Sequence, residues 1–169
     1  MHATAIVYYS RTGTTRAVAE QLARRLSADL AAIEDPRSRQ GVLGFLRSLF
    51  EAVLKRETAI VAPDVILHRY RTVVIATPVW ASNVPSPVRT WLNRLGAALP
   101  DVALVCTYGG SGADAALKEL TRLTGKAALA QLALREADVR TGRCEPQLDD
   151  FAAAVGIGSG GTLPGAMPA

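Results

Sequence analysis

The sequence reads as an α/β domain built on a five-stranded parallel sheet with helices on both faces. Five short apolar runs rich in β-formers alternate with runs whose apolar residues recur at helical spacing. The first such run turns at once into an amphipathic stretch through a hydroxyl-rich hexapeptide, Ser10 to Thr15. At 169 residues and 49% hydrophobic content, the chain suits one domain with a sizeable core.

Ala3 to Tyr9 is short and apolar, as a buried strand is. Val18, Leu22 and Leu26 then mark the inner face of a helix. A second strand is expected over Asp29 to Glu34, and Pro36 breaks the pattern in the polar stretch that follows. From Val42 to Leu54 an apolar helical face is widened by Leu43 and Phe45, which suits either burial under a loop or a homodimer surface. Thr72 to Ala76 predicts a central third strand, running into a loop from Thr77 to Asn83. Ser86 before Pro87 suits an N-cap, Val88, Trp91, Leu92 and Leu95 an inward face, and Gly96 a stop.

Val102 to Thr107 predicts the fourth strand, and Ser111 with Asp114 a capping box for a helix that ends at Gly125. Leu129 to Leu134 predicts the fifth strand. Pro146 opens a last helix with Leu148, Phe151, Ala152 and Val155 inward. The expected domain covers residues 1–155, with a flexible Gly/Pro-rich tail over 156–169.

The net charge is +4 and the pI about 9.4, yet the arginines are scattered and aromatics make up only 5%. No basic stripe interleaved with stacking residues points to nucleic acid. No run approaches membrane-spanning length, and no targeting segment is evident, so a cytoplasmic setting is expected. Cys106 and Cys144 have neither metal nor redox spacing; Cys106 reads as an inert core residue, Cys144 as an exposed thiol. No metal site and no nucleophile–base pair is expected, because His2 is terminal and His68 precedes the third strand, at the end of the sheet opposite the first turn.

Chemistry concentrates in Ser10-Arg11-Thr12-Gly13-Thr14-Thr15. A strand that turns sharply into a helix aims unpaired N–H groups and the positive end of the helix dipole at one point. Capping alone needs one hydroxyl; here four of six residues carry one, around a glycine that lets the backbone come close. The expected ligand is a phosphate. The Walker-A ending and the three-glycine dinucleotide fingerprint are both absent from this turn. Gly110-x-Gly112-x-x-Ala115 and the glycines from Gly156 only mimic the latter.

The Ser/Thr-x-Thr-Gly-x-Thr pattern resembles that of the flavodoxins, and the likeness extends over nearly the whole chain to about Val155. It implies a flavodoxin-like three-layer sandwich with strand order 2-1-3-4-5, the ligand lying outside the carboxyl ends of the strands. In that family the first loop holds the phosphate of FMN. The role passes to Ser10, Thr12, Gly13, Thr14 and Thr15, with Arg11 and Arg16 as nearby cations. The matching second loop, Thr77, Pro78, Val79, Trp80, Ala81, Ser82 and Asn83, would border the isoalloxazine, and Trp80 would stack on it or cover the pocket mouth. The third loop, with Thr107, Tyr108, Gly109, Gly110 and Gly112, would approach from the other side.

The resemblance leaves two functions in competition. Electron carriers of the family surround the flavin with acidic residues and commonly place a glycine in the second loop. This chain is basic, has Asp114 as the one acid of its rim loops, and has no glycine between Val79 and Ser82. An FMN-dependent oxidoreductase passing reducing equivalents from NAD(P)H to a quinone or similar acceptor fits better. The alternatives are a flavodoxin-type carrier and a binding module without activity.

Overall fold

The computed structural model describes residues 3–35, 59–95 and 98–160. Five parallel strands, β1 (Thr4–Tyr8), β2 (Asp29–Ala32), β3 (Thr72–Pro78), β4 (Asp101–Tyr108) and β5 (Ala128–Arg135), form one sheet in the order 2-1-3-4-5. The helices are α1 (Thr14–Leu26), α2 (Ser86–Leu95), α3 (Ala113–Thr124), α4 (Glu136–Thr141) and α5 (Glu145–Gly160), with a 3-10 turn at Leu67–Arg69.

Strand alternation divides the core into two. Ala5, Val7, Val73, Ile75, Val102 and Leu104 point to one face, where Val88, Trp91 and Leu92 of α2 and Ala116 and Leu120 of α3 cover them. Ile6, Val74, Ala76, Ala103 and Val105 point to the other, beneath Val18 and Leu22 of α1 and Leu148, Phe151 and Val155 of α5. Central strands buried on both faces explain why they read as continuous apolar runs rather than alternating ones. Each fully buried Ile, Leu or Val contributes about 1.5–3 kcal/mol of transfer free energy.

The expected fold is therefore present, and its differences are local. β3 and β4 run further than expected, to Pro78 and Tyr108. Pro78 is tolerated because β1 stops pairing opposite Ala76, so no neighbour is deprived of a donor. Ser86 lies inside α2 with its buried hydroxyl unpartnered, not as an N-cap. The Ser111–Asp114 capping box does not form, since Gly112 takes the cap position at φ 91° without a side-chain bond. Gly125 does end α3, at φ 64°.

Cys144 is buried among α1 and α5 residues rather than exposed, and burial raises its thiol pKa. Cys106 is buried as expected, with burial the main cause of a pKa pushed to about 12. α5 continues to Gly160, past the expected boundary at Val155. Gly158 explains the continuation: a Cβ there would lie 3.0 Å from Leu129 Cδ1, so the glycine lets the helix pass over β5. The helix expected over 42–54, the stop at Gly96 and the end of the tail lie outside the described residues. Among the described residues, no helix is long and apolar enough to cross a membrane, and no three His, Cys, Asp or Glu side chains cluster as a metal site.

Candidate functional site

Parallel strands place the loops after β1, β3 and β4 on one rim. In the first, Gly13 is the N-cap of α1 at φ 93°, a conformation glycine adopts freely, and no atom lies within 4 Å of where a Cβ would stand. Its N–H donates to Ser10 Oγ at 3.2 Å, and its carbonyl accepts from Ala17 N–H at 2.9 Å. Thr12 and Gly13 are exposed, and Thr14 is half-buried at the mouth of the first turn. The first-turn N–H groups of α1 have no helical acceptor, and the dipole adds positive charge there.

Thr15 stands deeper than Thr12 and Thr14. Its side chain is buried, and its hydroxyl is bonded at 2.8 Å to that of Thr107, which is also buried. The pair braces the first loop against β4. Thr77 is equally buried, and its hydroxyl donates to the carbonyl of Pro78 at 3.1 Å. Thr77 and Pro78 thus belong to β3 and frame the second loop from below.

Above them, Val79 N–H donates to Thr107 O at 2.8 Å, and the chain closes a two-residue hairpin. Trp80 N–H donates to Asn83 O at 3.0 Å and Asn83 N–H to Trp80 O at 2.8 Å. The central residues, Ala81 and Ser82, both have positive φ, 47° and 59°, as a type I′ turn requires. Asn83 Nδ2 steadies the turn by donating to Ala81 O at 3.1 Å. Half-buried Trp80 meets the edge of Tyr9 at 5.6 Å between centroids, and the Arg11 guanidinium sits 5.8 Å from its ring centre.

In the third loop Gly109 and Gly110 are exposed, with open space where side chains would be, and Tyr108 is half-buried. Gly112 is different. A Cβ there would stand 2.6 Å from Ser82 Cα, so the second and third loops touch backbone to backbone. The rim is thus closed by three ties: Thr15–Thr107, Val79–Thr107 and Ser82–Gly112.

Behind the rim, buried Arg89 of α2 pairs with Glu119 of α3, and its Nη2 donates to Val84 O at 3.4 Å. Hydrogen bonds from Arg122 and Arg89 outweigh desolvation and hold the Glu119 carboxyl at about 2, below its ordinary 4.5. Sequence reasoning missed this pair, because the two positions are far apart and lie on separate helices. It also missed Tyr9, Glu34 and Asp35, which the parallel order of β1 and β2 brings to the same rim.

The arrangement fits a phosphate-bearing aromatic ligand: an exposed turn at Thr12 and Gly13 at the N-terminus of α1, a half-exposed indole, and an uncovered glycine backbone opposite. A family model described as flavodoxin matches residues 3–143. No curated protein matches the chain. Among solved structures, a flavoprotein from Lactobacillus acidophilus NCFM in complex with FMN matches at 19% identity and TM-score 0.65, covering 83% of this chain and 98% of its own. A Bacteroides uniformis ATCC 8492 protein matches at 23% identity and TM-score 0.70, over 84% of this chain and 97% of its own. The flavodoxin, WrbA-like protein from Agrobacterium tumefaciens matches at 19% and 0.57, over 92% and 99%. The chain belongs to the flavodoxin family.

Proposed function

We propose that the protein binds FMN at this rim and acts as a small NAD(P)H-dependent oxidoreductase that reduces a quinone or a similar acceptor. The observation that carries FMN binding is the exposed Thr12–Gly13 turn at the N-terminus of α1, on the same rim as Trp80 and Gly109–Gly110. In this reading the phosphate rests on the first-turn N–H groups and the hydroxyls of Ser10 and Thr12, with Arg11 beside them. Trp80 and Tyr108 flank the ring system, and the side-chain-free backbone at Gly109 and Gly110 gives its polar edge room.

When bound, FMN would supply the redox chemistry, two-electron transfer between the nicotinamide donor and the acceptor. The protein supplies placement and field. Arg11 and the α1 dipole set positive potential beside the phosphate, Arg16 pairs with Glu20, and Glu34 and Asp35 stand on the β2 side of the first loop, while Asp114 is the one carboxylate of the three loops themselves. The loops that would border the ring thus carry little negative charge, which favours its build-up on the ring and supports two-electron chemistry over the acidic surround of a carrier. The carrier reading is supported by the family itself.

Steady-state assays with NADH and NADPH across quinones test the proposal. Turnover well above that of free FMN is expected; turnover equal to it would leave the carrier reading in place.

A further inference from the structure

The second and third loops touch in front through Ser82 and Gly112, and the helices that follow them are tied behind by one ion pair. Gly112, Ala116 and Glu119 are spaced four and three residues apart, so the third loop and α3 carry them on one face. Gly112 presses on Ser82, Ala116 is fully buried, and Glu119 receives Arg89 of α2. The front contact lies at the N-cap of α3 and the rear one seven residues on, about 10 Å along the helix. The contacts close a circuit from Ser82 through Val84, Arg89 and Glu119 back to Gly112.

Arg89 is 3% exposed, and among the described residues its guanidinium is held at two points. One Nη donates to Glu119 and the other to the carbonyl of Val84 at 3.4 Å, while Nε has no partner. Val84 is fully buried and directly follows the Trp80–Asn83 hairpin. Glu119 is oriented from outside by Arg122, whose Nε and Nη2 donate to it at 2.8 and 2.9 Å. Its carboxyl, held at about 2, stays charged across the neutral pH range, so the pair is a fixed strut.

A buried ion pair is a poor source of stability, because desolvation offsets most of what the charges gain. What it supplies is direction: a planar guanidinium meets a carboxylate and a carbonyl at set positions, whereas apolar contacts slide. The rest of this layer of the core, with Val88, Leu92, Ala116 and Leu120, is apolar, so stability alone does not account for charge here.

We propose that Arg89 and Glu119 are positioning residues for the flavin. By locking Val84 to α3 behind the rim, they set how the Trp80 hairpin stands against the Gly109–Gly110 loop, between which the isoalloxazine would lie. The proposal rests on the flavin site proposed above and adds the residues that fix its width.

The test replaces the pair by apolar residues of similar size, Arg89→Met with Glu119→Leu, and titrates FMN and riboflavin by flavin fluorescence. Such a swap of buried ions is often neutral or stabilising, so a melting temperature at or above that of the unmodified protein is expected. Both flavins are nevertheless expected to bind about tenfold more weakly, as the loss of one aromatic stacking contact implies. Their affinity ratio should stay unchanged, because the phosphate lies on the first loop, outside the circuit. Amide exchange of the flavin-free chain, followed by NMR, should quicken at Trp80 and Asn83 and stay unchanged along β3 and β4.

Unchanged affinities for both flavins, a loss confined to FMN, or exchange that quickens equally along β3 and β4 would each overturn the proposal. Should the double variant not fold, Arg89→Lys takes its place. It keeps a charge against Glu119 but lacks the fork that also reaches the Val84 carbonyl. A smaller loss, again equal for both flavins, is expected; no loss would overturn the proposal.

The failures separate. If the unmodified protein quenches neither flavin, the flavin site is wrong and the positioning role falls with it. If the double variant binds FMN as tightly as the unmodified protein does, the site stands and the positioning role alone is lost.

Discussion

The first and third loops are built alike, and the second is built differently. In both of the former a strand ends, a glycine at φ near 90° caps the next helix, and the helix N-terminus opens onto the rim. The second loop folds back on itself as a closed hairpin and reaches positive φ at Ala81 and Ser82 without a glycine. An alanine or serine held there carries strain of about 1–2 kcal/mol per residue. That strain persists because the hairpin is over-determined: two backbone bonds close it, Asn83 braces it, and Gly112 presses on its back. The difference separates two tasks. In the proposed reading the open first loop presents N–H groups to the phosphate, and the clamped second loop holds an aromatic wall still.

The sharpest way to break the comparison is to treat the two capping glycines alike. Gly112→Ala adds a Cβ 2.6 Å from the Ser82 backbone, on top of its own positive φ. A loss of about 3 kcal/mol or more is expected by chemical denaturation, with the second loop displaced. Gly13→Ala meets open space and carries only backbone strain, so about 1–2 kcal/mol is expected. Equal losses for the two would remove the backbone contact from the account.

Next in size is the support beneath the hairpin. Glu119→Ala leaves Arg89 buried without its carboxylate and is expected to lower stability by about 3 kcal/mol. The pH dependence follows from the same group. Its folded pKa of about 2 lies below the ordinary 4.5, so its contribution is complete above pH 4.5 and is lost as pH falls toward 2. Glu119→Gln should flatten that acid limb of the stability profile, read by thermal melts across pH.

Smaller effects sharpen the assignment within the first loop. Thr15→Val removes a buried brace and should lower stability by about 1 kcal/mol while leaving FMN affinity within about threefold. Thr12→Val, on an exposed residue, should do the reverse. Smallest, and opposite in sign, Ala81→Gly should relieve strain and stabilise by about 1 kcal/mol.

Most of the fold was legible because each element announces its own period: Val73 to Ala76 and Val102 to Cys106 as buried runs, Val18, Leu22 and Leu148, Phe151, Val155 as helical faces. What escaped was decided by contacts across the chain. The glycines after Val155 read as the start of a flexible tail, but Gly158 is the residue that lets α5 lie against Leu129. The bracing of Thr15 was hidden too, since nothing local tells that Thr107 stands opposite it. Cys144 read as exposed because its burial depends on α1 and α5 meeting over it. Of the candidate site, the geometry was legible where one segment builds it, in the turn from Ser10 to Thr14 that Gly13 carries into α1. It was illegible where two segments meet, as at Tyr9 and Glu34 or at Arg89 and Glu119.

The most direct test of the central claim compares FMN with riboflavin, by quenching of flavin fluorescence on titration with the purified protein. The two differ by the phosphate alone. If the N-terminus of α1 with Thr12 and Gly13 is the phosphate site, FMN should bind about 100-fold more tightly, as two or so charge-assisted hydrogen bonds imply, and Thr12→Val should shrink that ratio. Equal affinities, or no quenching by either, would contradict the account and leave the opening turn as a capped helix end.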